Sequence, residues 1–273
     1  MMIHSLWLVP YPIFSALDHM MLLIDADYFF YRAAAAAEEE HEYNEELTVI
    51  VGNFTEGKKI VEHELSNLKS RFHTDNFILT FTDRSNFRKK IDPDYKGNRT
   101  KRKPCGYLKL KQWGMDKYLS MMKPSLEADD IIGILATNVH VKDFIIVSPD
   151  KDMEQIPGRI FNLKDEFTNT PERAVRKLYE QALTGDSTDG YSGCVGIGPK
   201  KAGVLLDTVE DENYWPTVVQ AYLSSGQTEE DALRNLRLAK ILQSENWDSD
   251  NDKPILFNPP EPEFNSLEEA LMS

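Results

Sequence analysis

The stretch MLLIDADYFFYR, from Met21 to Arg32, sets the reading of the whole chain. Its first residues, Met21–Asp25, have the length and apolar run of a strand buried on both faces, closed by an acid. The residues after it, Tyr28–Glu40, read as a helix. The same arrangement recurs twice. Asn76–Phe81 (NFILTF) is a second strand, ending at Thr82-Asp83, and it follows an amphipathic run, Gly57–Phe72, with Ile60, Val61, Leu65 and Leu68 at helical spacing. Phe144–Val147 (FIIV) is a third, running into SPDKD, after a helix from about Leu126 that is apolar at Ile131, Ile134 and Leu135. Further helices are expected near Pro171–Leu183, at Pro199–Leu206 and near Glu229–Gln243. Strands alternating with helices predict an α/β fold with a mainly parallel central sheet flanked by helices.

The 273 residues suit one large domain or two lobes. The expected organisation is an N-terminal extension over 1–20, an α/β core over 21–170, and a helical region with an acidic tail over 171–273. Only two cysteines occur, Cys105 and Cys194, which excludes a disulfide framework or a Cys-rich zinc site and points to a cytoplasmic protein. The first twenty residues are apolar but broken by Pro10 and Pro12, and they lack a basic leader. Their longest apolar run is far below the ~20 residues of a membrane span, so no membrane partner is expected. None of the six histidines falls in a motif.

Charge is distributed unevenly. The net value is −14, yet Arg84 to Lys111 holds eleven Lys or Arg against two acids. From Asp207 onward fifteen acids face four basic residues. A cationic segment on an anionic body is a localised electrostatic site rather than a generally basic surface. Phe87, Tyr95 and Tyr107 lie among these cations, where rings could stack on bases while ammonium groups hold phosphates.

The acids themselves fall at the strand ends. Asp25, Asp83 and the pair Asp150 and Asp152 follow the three strands, and in a parallel sheet the ligand crevice lies there. Glu127, Asp129 and Asp130 open a helix, while Asp186 and Asp189 precede a Gly-rich turn. The helix macrodipole alone would favour acids at 127–130, and acids after strands often make turns or caps. Together, nine acids aimed at one cleft would repel one another unless cations sat among them. Oxygen-only donors favour Mg²⁺ or Mn²⁺ over zinc, and paired ions of this kind serve phosphoryl displacement. The turn Gly193-Cys194-Val195-Gly196-Ile197-Gly198-Pro199-Lys200-Lys201 fails as a P-loop, because Pro199 takes the lysine position. As a Gly hairpin between helices, it offers a helix N-terminus and two lysines to a phosphate backbone.

The segments LLIDADYFFYR, FTD…DYKGNR, LEADD, VSPDKD and GDSTDGYSGCVGIGPKKA, in this order between Met21 and Leu206, resemble the flap endonuclease/5′-nuclease superfamily, and within it the short bacteriophage 5′–3′ exonucleases. The resemblance implies a 5′-nuclease core related to PIN domains, a helix-three-turn-helix and a basic arch over residues 84–111. It implies a two-metal 5′–3′ exonuclease using Mg²⁺, with Mn²⁺ able to substitute, and with flap endonuclease and RNase H-like activity. Asp25, Asp83, Glu127, Asp129 and Asp150 fall on its tighter metal cluster with Asp130 beside them, and Asp152, Asp186 and Asp189 fall on the second. Arg32, Lys96 and Arg99 match residues at the scissile phosphate. Gly193, Gly196, Gly198, Lys200 and Lys201 match the duplex-gripping turn, where K⁺ binds. Arg84, Arg88, Lys89, Lys101, Arg102 and Lys103 are expected to contact DNA from an arch that is mobile until DNA arrives. The implied partner is double-stranded DNA with a 5′ end or flap, or an RNA–DNA hybrid, acted on by a monomer. Ala26, Gly190 and Ser192 depart from the family's usual residues. Three other readings stand beside it. A DEDD-type 3′–5′ exonuclease would use Asp152-Met153-Glu154, but that triplet lies beyond the third strand. A PIN-type ribonuclease needs neither the basic insertion nor the Gly hairpin, and a non-catalytic DNA-binding module would carry the acids as surface charge.

Overall fold

The computed structural model describes residues 20–259, so all but Met20 of the expected extension, and the last part of the tail, lie outside the described residues. Strand β1 (Met21–Asp25) passes directly into α1 (Ala26–Ala36). A ribbon of β2 (Glu38–Asn44) and β3 (Leu47–Gly52) precedes α2 (Phe54–Phe72) and β4 (Phe77–Thr80). Then come α3 (Arg88–Ile91), α4 (Tyr107–Lys117), β5 (Ser120–Met121), α5 (Ala128–Ala136) and β6 (Phe144–Val147). Strands β7 (Gly158–Phe161) and β8 (Glu166–Asn169) complete the sheet. Helices α6 (Pro171–Thr184), α7 (Pro199–Asp207), α8 (Tyr214–Ser224) and α9 (Glu229–Ala239) form the helical part.

The sheet order is β5-β4-β1-β6-β7-β8, with every pairing parallel except β7 with β8. Asp25 pairs with Thr80 and Ile24 with Val147, so the carboxyl ends of the three central strands are level. The chain steps from β1 to β4 and β5 on one side, then crosses to β6 on the other. The seam between β1 and β6 is therefore the topological switch point, where a crevice opens outside the strand ends.

Side chains alternate across this sheet as a pleat requires. Met21, Leu23 and Ile146 pack with α5 on one face, while Leu22, Ile24, Ile145 and Val147 pack with α1 and α2 on the other. A third core, with Leu178, Ala202, Val218, Tyr222 and Leu236, joins α6 to α9. Residues cross the expected boundary at 170 in both directions. Tyr95 belongs to the helical core, and Ile241, Leu242 and Trp247 belong to the core under α5.

Several expectations are corrected. The first helix stops at Ala36, because Glu38–Asn44 (EEEHEYN) has no apolar stripe to bury and pairs with LTVIVG as a ribbon instead. Helix α8 and strands β7 and β8 carried no decisive pattern, and α9 ends at Ala239 rather than Gln243. In the basic segment Phe87, Tyr95 and Tyr107 are buried at 4%, 2% and 5% exposure, so none of the three rings is free to stack on bases. These rings pin the segment to the body at three points, which contradicts a wholly mobile arch.

Candidate active site

The carboxyl ends of β1 and β6 bring Asp25 and Asp150 to the crevice, with Asp25 buried and Asp150 exposed. Ser148 Oγ donates to Asp25 Oδ2 at 2.9 Å and accepts from the Asp150 N–H at 3.2 Å. Asp150 Oδ1 in turn caps the turn that follows by accepting from the Asp152 N–H at 2.9 Å. One serine thus ties the two strand-end acids together. Burial, then repulsion from Asp27 and Asp150, pushes the Asp25 carboxyl up to about 7. Asp129, in the first turn of α5, is raised well above the carboxylate range by burial and by Asp25 and Asp150. Asp152 is raised to about 6 by burial, Asp150 and Asp186, outweighing the attraction of Lys151. Asp150 repels all three, so it is the acid shared between Asp25 and Asp129 on one side and Asp152 on the other.

Cations hold the remaining acids. Lys96 Nζ pairs with Glu127 Oε1 and lies 3.5 Å from Asp189 Oδ2. Arg99 meets Asp189 Oδ1 at 2.7 Å, and the Tyr95 hydroxyl bridges Asp189 Oδ2 at 2.8 Å and Glu127 Oε2 at 3.0 Å. Burial would raise Glu127, but Lys96 and Arg88 hold it at about 2. Lys96 sits at φ 56°, and its N–H donates to the Asp189 carbonyl at 2.7 Å, which keeps this unusual backbone in place. Asp186 accepts from the N–H groups of Thr188 and Asp189, with Lys151 3.9 Å away.

Three assignments change. Arg88 is 2% exposed and forks onto both oxygens of Asp130 at 2.8 Å, while donating to the carbonyls of Leu238 and Lys240. It cannot contact DNA. Asp130, 0% exposed, also accepts from the Glu127 and Leu242 N–H groups, so its oxygens are spent inside the protein and it is not available to a metal. Gly193 is buried, with the Leu183 carbonyl 2.2 Å from where a Cβ would stand, so it serves packing rather than DNA contact. The other positions are disposed differently. Asp83 accepts from Ser85 Oγ at 2.5 Å and the Ser125 N–H at 2.9 Å, and these bonds hold it at about 2. Arg32 is exposed on α1 against Tyr28. Arg102 pairs with Glu38, whereas Arg84, Lys89, Lys101 and Lys103 are exposed. Gly196 takes φ 76° in an exposed turn, Gly198 starts α7, Lys200 is exposed, and Lys201 Nζ donates to the Gly196 carbonyl at 2.9 Å. Sequence reasoning missed Ser148 and the bridging hydroxyl of Tyr95; the only signal was their adjacency to Asp150 and Lys96.

Among the described residues no three His, Cys, Asp or Glu side chains are gathered tightly enough to hold an ion as they stand. Repulsion accounts for the spacing of the unpaired acids, and Lys96 and Arg99 occupy two others. The donor set still fits a divalent cation. It is all oxygen, and Asp152 Oδ1 is a buried oxygen without a hydrogen-bond partner. The raised carboxyls have a thermodynamic consequence. The folded protein holds protons that the unfolded chain releases, so stability falls as pH rises from the ordinary carboxyl range through about 7. In chelator, the melting temperature is expected to climb by roughly 5 °C or more between pH 8 and pH 5.5, and Mg²⁺ should flatten the trend. Differential scanning calorimetry checks this; a flat profile in chelator would mean the acids do not repel.

The chain has relatives among known proteins. The family described as "5′-3′ exonuclease, N-terminal resolvase-like domain" matches residues 20–180. The exodeoxyribonuclease of Enterobacteria phage T3 is 27% identical and the exonuclease of Escherichia phage T7 28%, each alignment covering 89% of this chain and 94% of the relative. A flap endonuclease Xni of Shewanella pealeana is 32% identical over 53% of this chain and 68% of its own length. The fold matches the bacteriophage T5 flap endonuclease in complex with DNA and metal ions, with a TM-score of 0.62 at 18% identity over 82% of this chain and 89% of that one. Among the described residues no helix is long and apolar enough to cross a membrane. With more than half its length matched by the family model, the chain belongs to the 5′–3′ exonuclease family, in the neighbourhood of the phage exonucleases.

Proposed function

We propose that this 5′–3′ nuclease hydrolyses phosphodiesters from the 5′ ends of double-stranded DNA, in the cytoplasm and as a monomer, with Mg²⁺ as its natural ion and Mn²⁺ as a substitute. The observation that carries the reading is the set of mutually repelling acids, Asp25, Asp129, Asp150 and Asp152, at the switch point with Lys96 beside them. Asp25, Asp129 and Asp150 would hold one ion, and Asp152 and Asp186 another, with Glu127, Asp189 and Asp83 at the margins. When bound there, such ions acidify a water and offset charge on the leaving oxygen. Lys96 and Arg99 supply positive charge to the phosphate under attack, with Arg32 on α1 as the third cation. Ser148 keeps Asp25 and Asp150 aligned. The exposed turn at Gly196, Gly198 and Lys200 would track the duplex backbone. A K⁺ ion there would compete with Lys201 for the Gly196 carbonyl.

Flaps and RNA–DNA hybrids are proposed as further substrates of the same cleft. The deciding experiment is digestion of a duplex labelled at one 5′ end, compared with the same duplex labelled at the 3′ end, in Mg²⁺. Early release of 5′ label supports the reading. Early release of 3′ label selects a DEDD-type enzyme, and binding without release selects a non-catalytic module.

A further inference from the structure

The helical part carries an open groove that the chemistry of the cleft leaves unused. It lies between α7 and α8, holds about 750 Å³, and has mainly apolar walls: Val195, Ile197, Leu205, Val209, Pro216 and Ala221. Val195 among them is 67% exposed. An apolar concavity of this size on a surface is a place for a covering segment. Among the described residues that line it, Lys201 alone is charged. One wall is the turn at Gly196, so whatever fills the groove also lies beside Lys200 and Lys201.

The chain itself brings an occupant to this groove. After α9 it packs under α5 and then returns to α8, where the Phe257 ring meets Trp215 with centroids 5.6 Å apart. Arg237 fixes it there, donating to the Phe257 carbonyl at 2.9 Å and to Asn258 Oδ1 at 2.8 Å. Trp215 adjoins Pro216, the first groove residue of α8. Residues 260–273, PEPEFNSLEEALMS, follow, outside the described residues. They hold four acids, no Lys or Arg, and Phe264, Leu267 and Leu271 three and four apart. That spacing suits a segment that lays one apolar edge into a groove. Length suffices too. From Trp215 to Ser224 α8 spans about 14 Å. Nine residues beyond Pro259 reach Glu268, a span of about 14 Å coiled and about 30 Å extended. Charge selects the same occupant. A duplex presents phosphates, which leave apolar walls unfilled, whereas this segment offers apolar anchors to the walls and carboxylates to the lysines.

We propose that residues 260–273 fill the groove between α7 and α8 and set Glu268 and Glu269 against Lys200 and Lys201, covering the turn until duplex DNA displaces them. The inference rests on the assignment of that turn to the duplex backbone and gives the turn an internal competitor. The test uses full-length protein carrying L267S and L271S, which removes two anchors without changing net charge. With the turn uncovered about a fifth of the time in the wild type, the variant should bind a blunt duplex in Ca²⁺ about fivefold more tightly. A synthetic peptide of residues 260–273 at about 1 mM, the scale of a tethered segment's effective concentration, should return the variant to wild-type affinity. A221F, which plugs the groove from α8, should give the same gain and make the peptide inert. If A221F melts early, the tail variant and the peptide decide alone. Unchanged duplex affinity in L267S/L271S overturns the proposal, as does a peptide without effect on that variant. A gain in A221F without one in the tail variant overturns it too, because something else then fills the groove. So does a tail variant that sediments as a smaller species than the wild type, which would make the occupant a second copy. Unaltered duplex binding in K200Q/K201Q would sink the turn's role and this proposal with it. Failure of the wild type to release 5′ label in Mg²⁺ would instead sink the nuclease reading alone.

Discussion

Asp150→Asn is expected to slow single-turnover cleavage by roughly 10³-fold or more, about 4 kcal/mol of transition-state stabilisation, while DNA binding persists or tightens. Asp150 is the acid that repels Asp25, Asp129 and Asp152 alike, so its charge serves both sets. The amide keeps the oxygen that caps Asp152, and the local turn should survive. Removing one negative charge also removes repulsion toward phosphate. Single-turnover kinetics under saturating Mg²⁺, with binding measured separately in Ca²⁺, check this. A variant within tenfold of the wild-type rate would take Asp150 out of the chemistry.

Arg88→Met should unfold the protein more readily by about 3–5 kcal/mol, because it strands Asp130 without its partner in a site of 0% exposure. At this chain length that is a fall in melting temperature of roughly 10 °C. The loss extends beyond one ion pair. Arg88 also satisfies the carbonyls of Leu238 and Lys240, which fastens the last turn of α9 and its cap to the first turn of α5. Calorimetry against Lys89→Met, an exposed neighbour expected to change stability by less than about 0.5 kcal/mol, is the comparison. If the two variants melt together, Arg88 is a surface cation after all. A specific loss of salt dependence in DNA binding, with stability intact, would restore it to the DNA path.

How much of this was legible follows from which residues act alone. Period and punctuation identified β1, β4 and β6 within a residue or two, because each is short, apolar and closed by an acid at the sheet's edge. Asp25, Asp150 and Asp152 were legible for the same reason, their short distance from the strand ends, and Asp129 by its place in the first turn of a helix. The ribbon of β2 and β3 was not, since Glu38–Asn44 has no period that a local window can register, and its strand exists only through its partner.

The basic segment marks the limit most clearly. Its composition gave eleven cations and three rings, and nothing in that string distinguishes Arg88 from Lys89. Packing does. Phe87, Tyr95 and Tyr107 turn inward, which draws Arg88 onto Asp130 and Lys96 onto Glu127 and leaves Lys89 outside. The sequence by itself determined the α/β order, the acids at the strand ends and the family they resemble, because these depend on spacing along the chain. Only the tertiary structure decided which charges face the cleft and which neutralise one another inside. That choice rests on burial and on partners up to 152 residues away, as for Arg88 and Lys240, and a charge's role is set by what surrounds it.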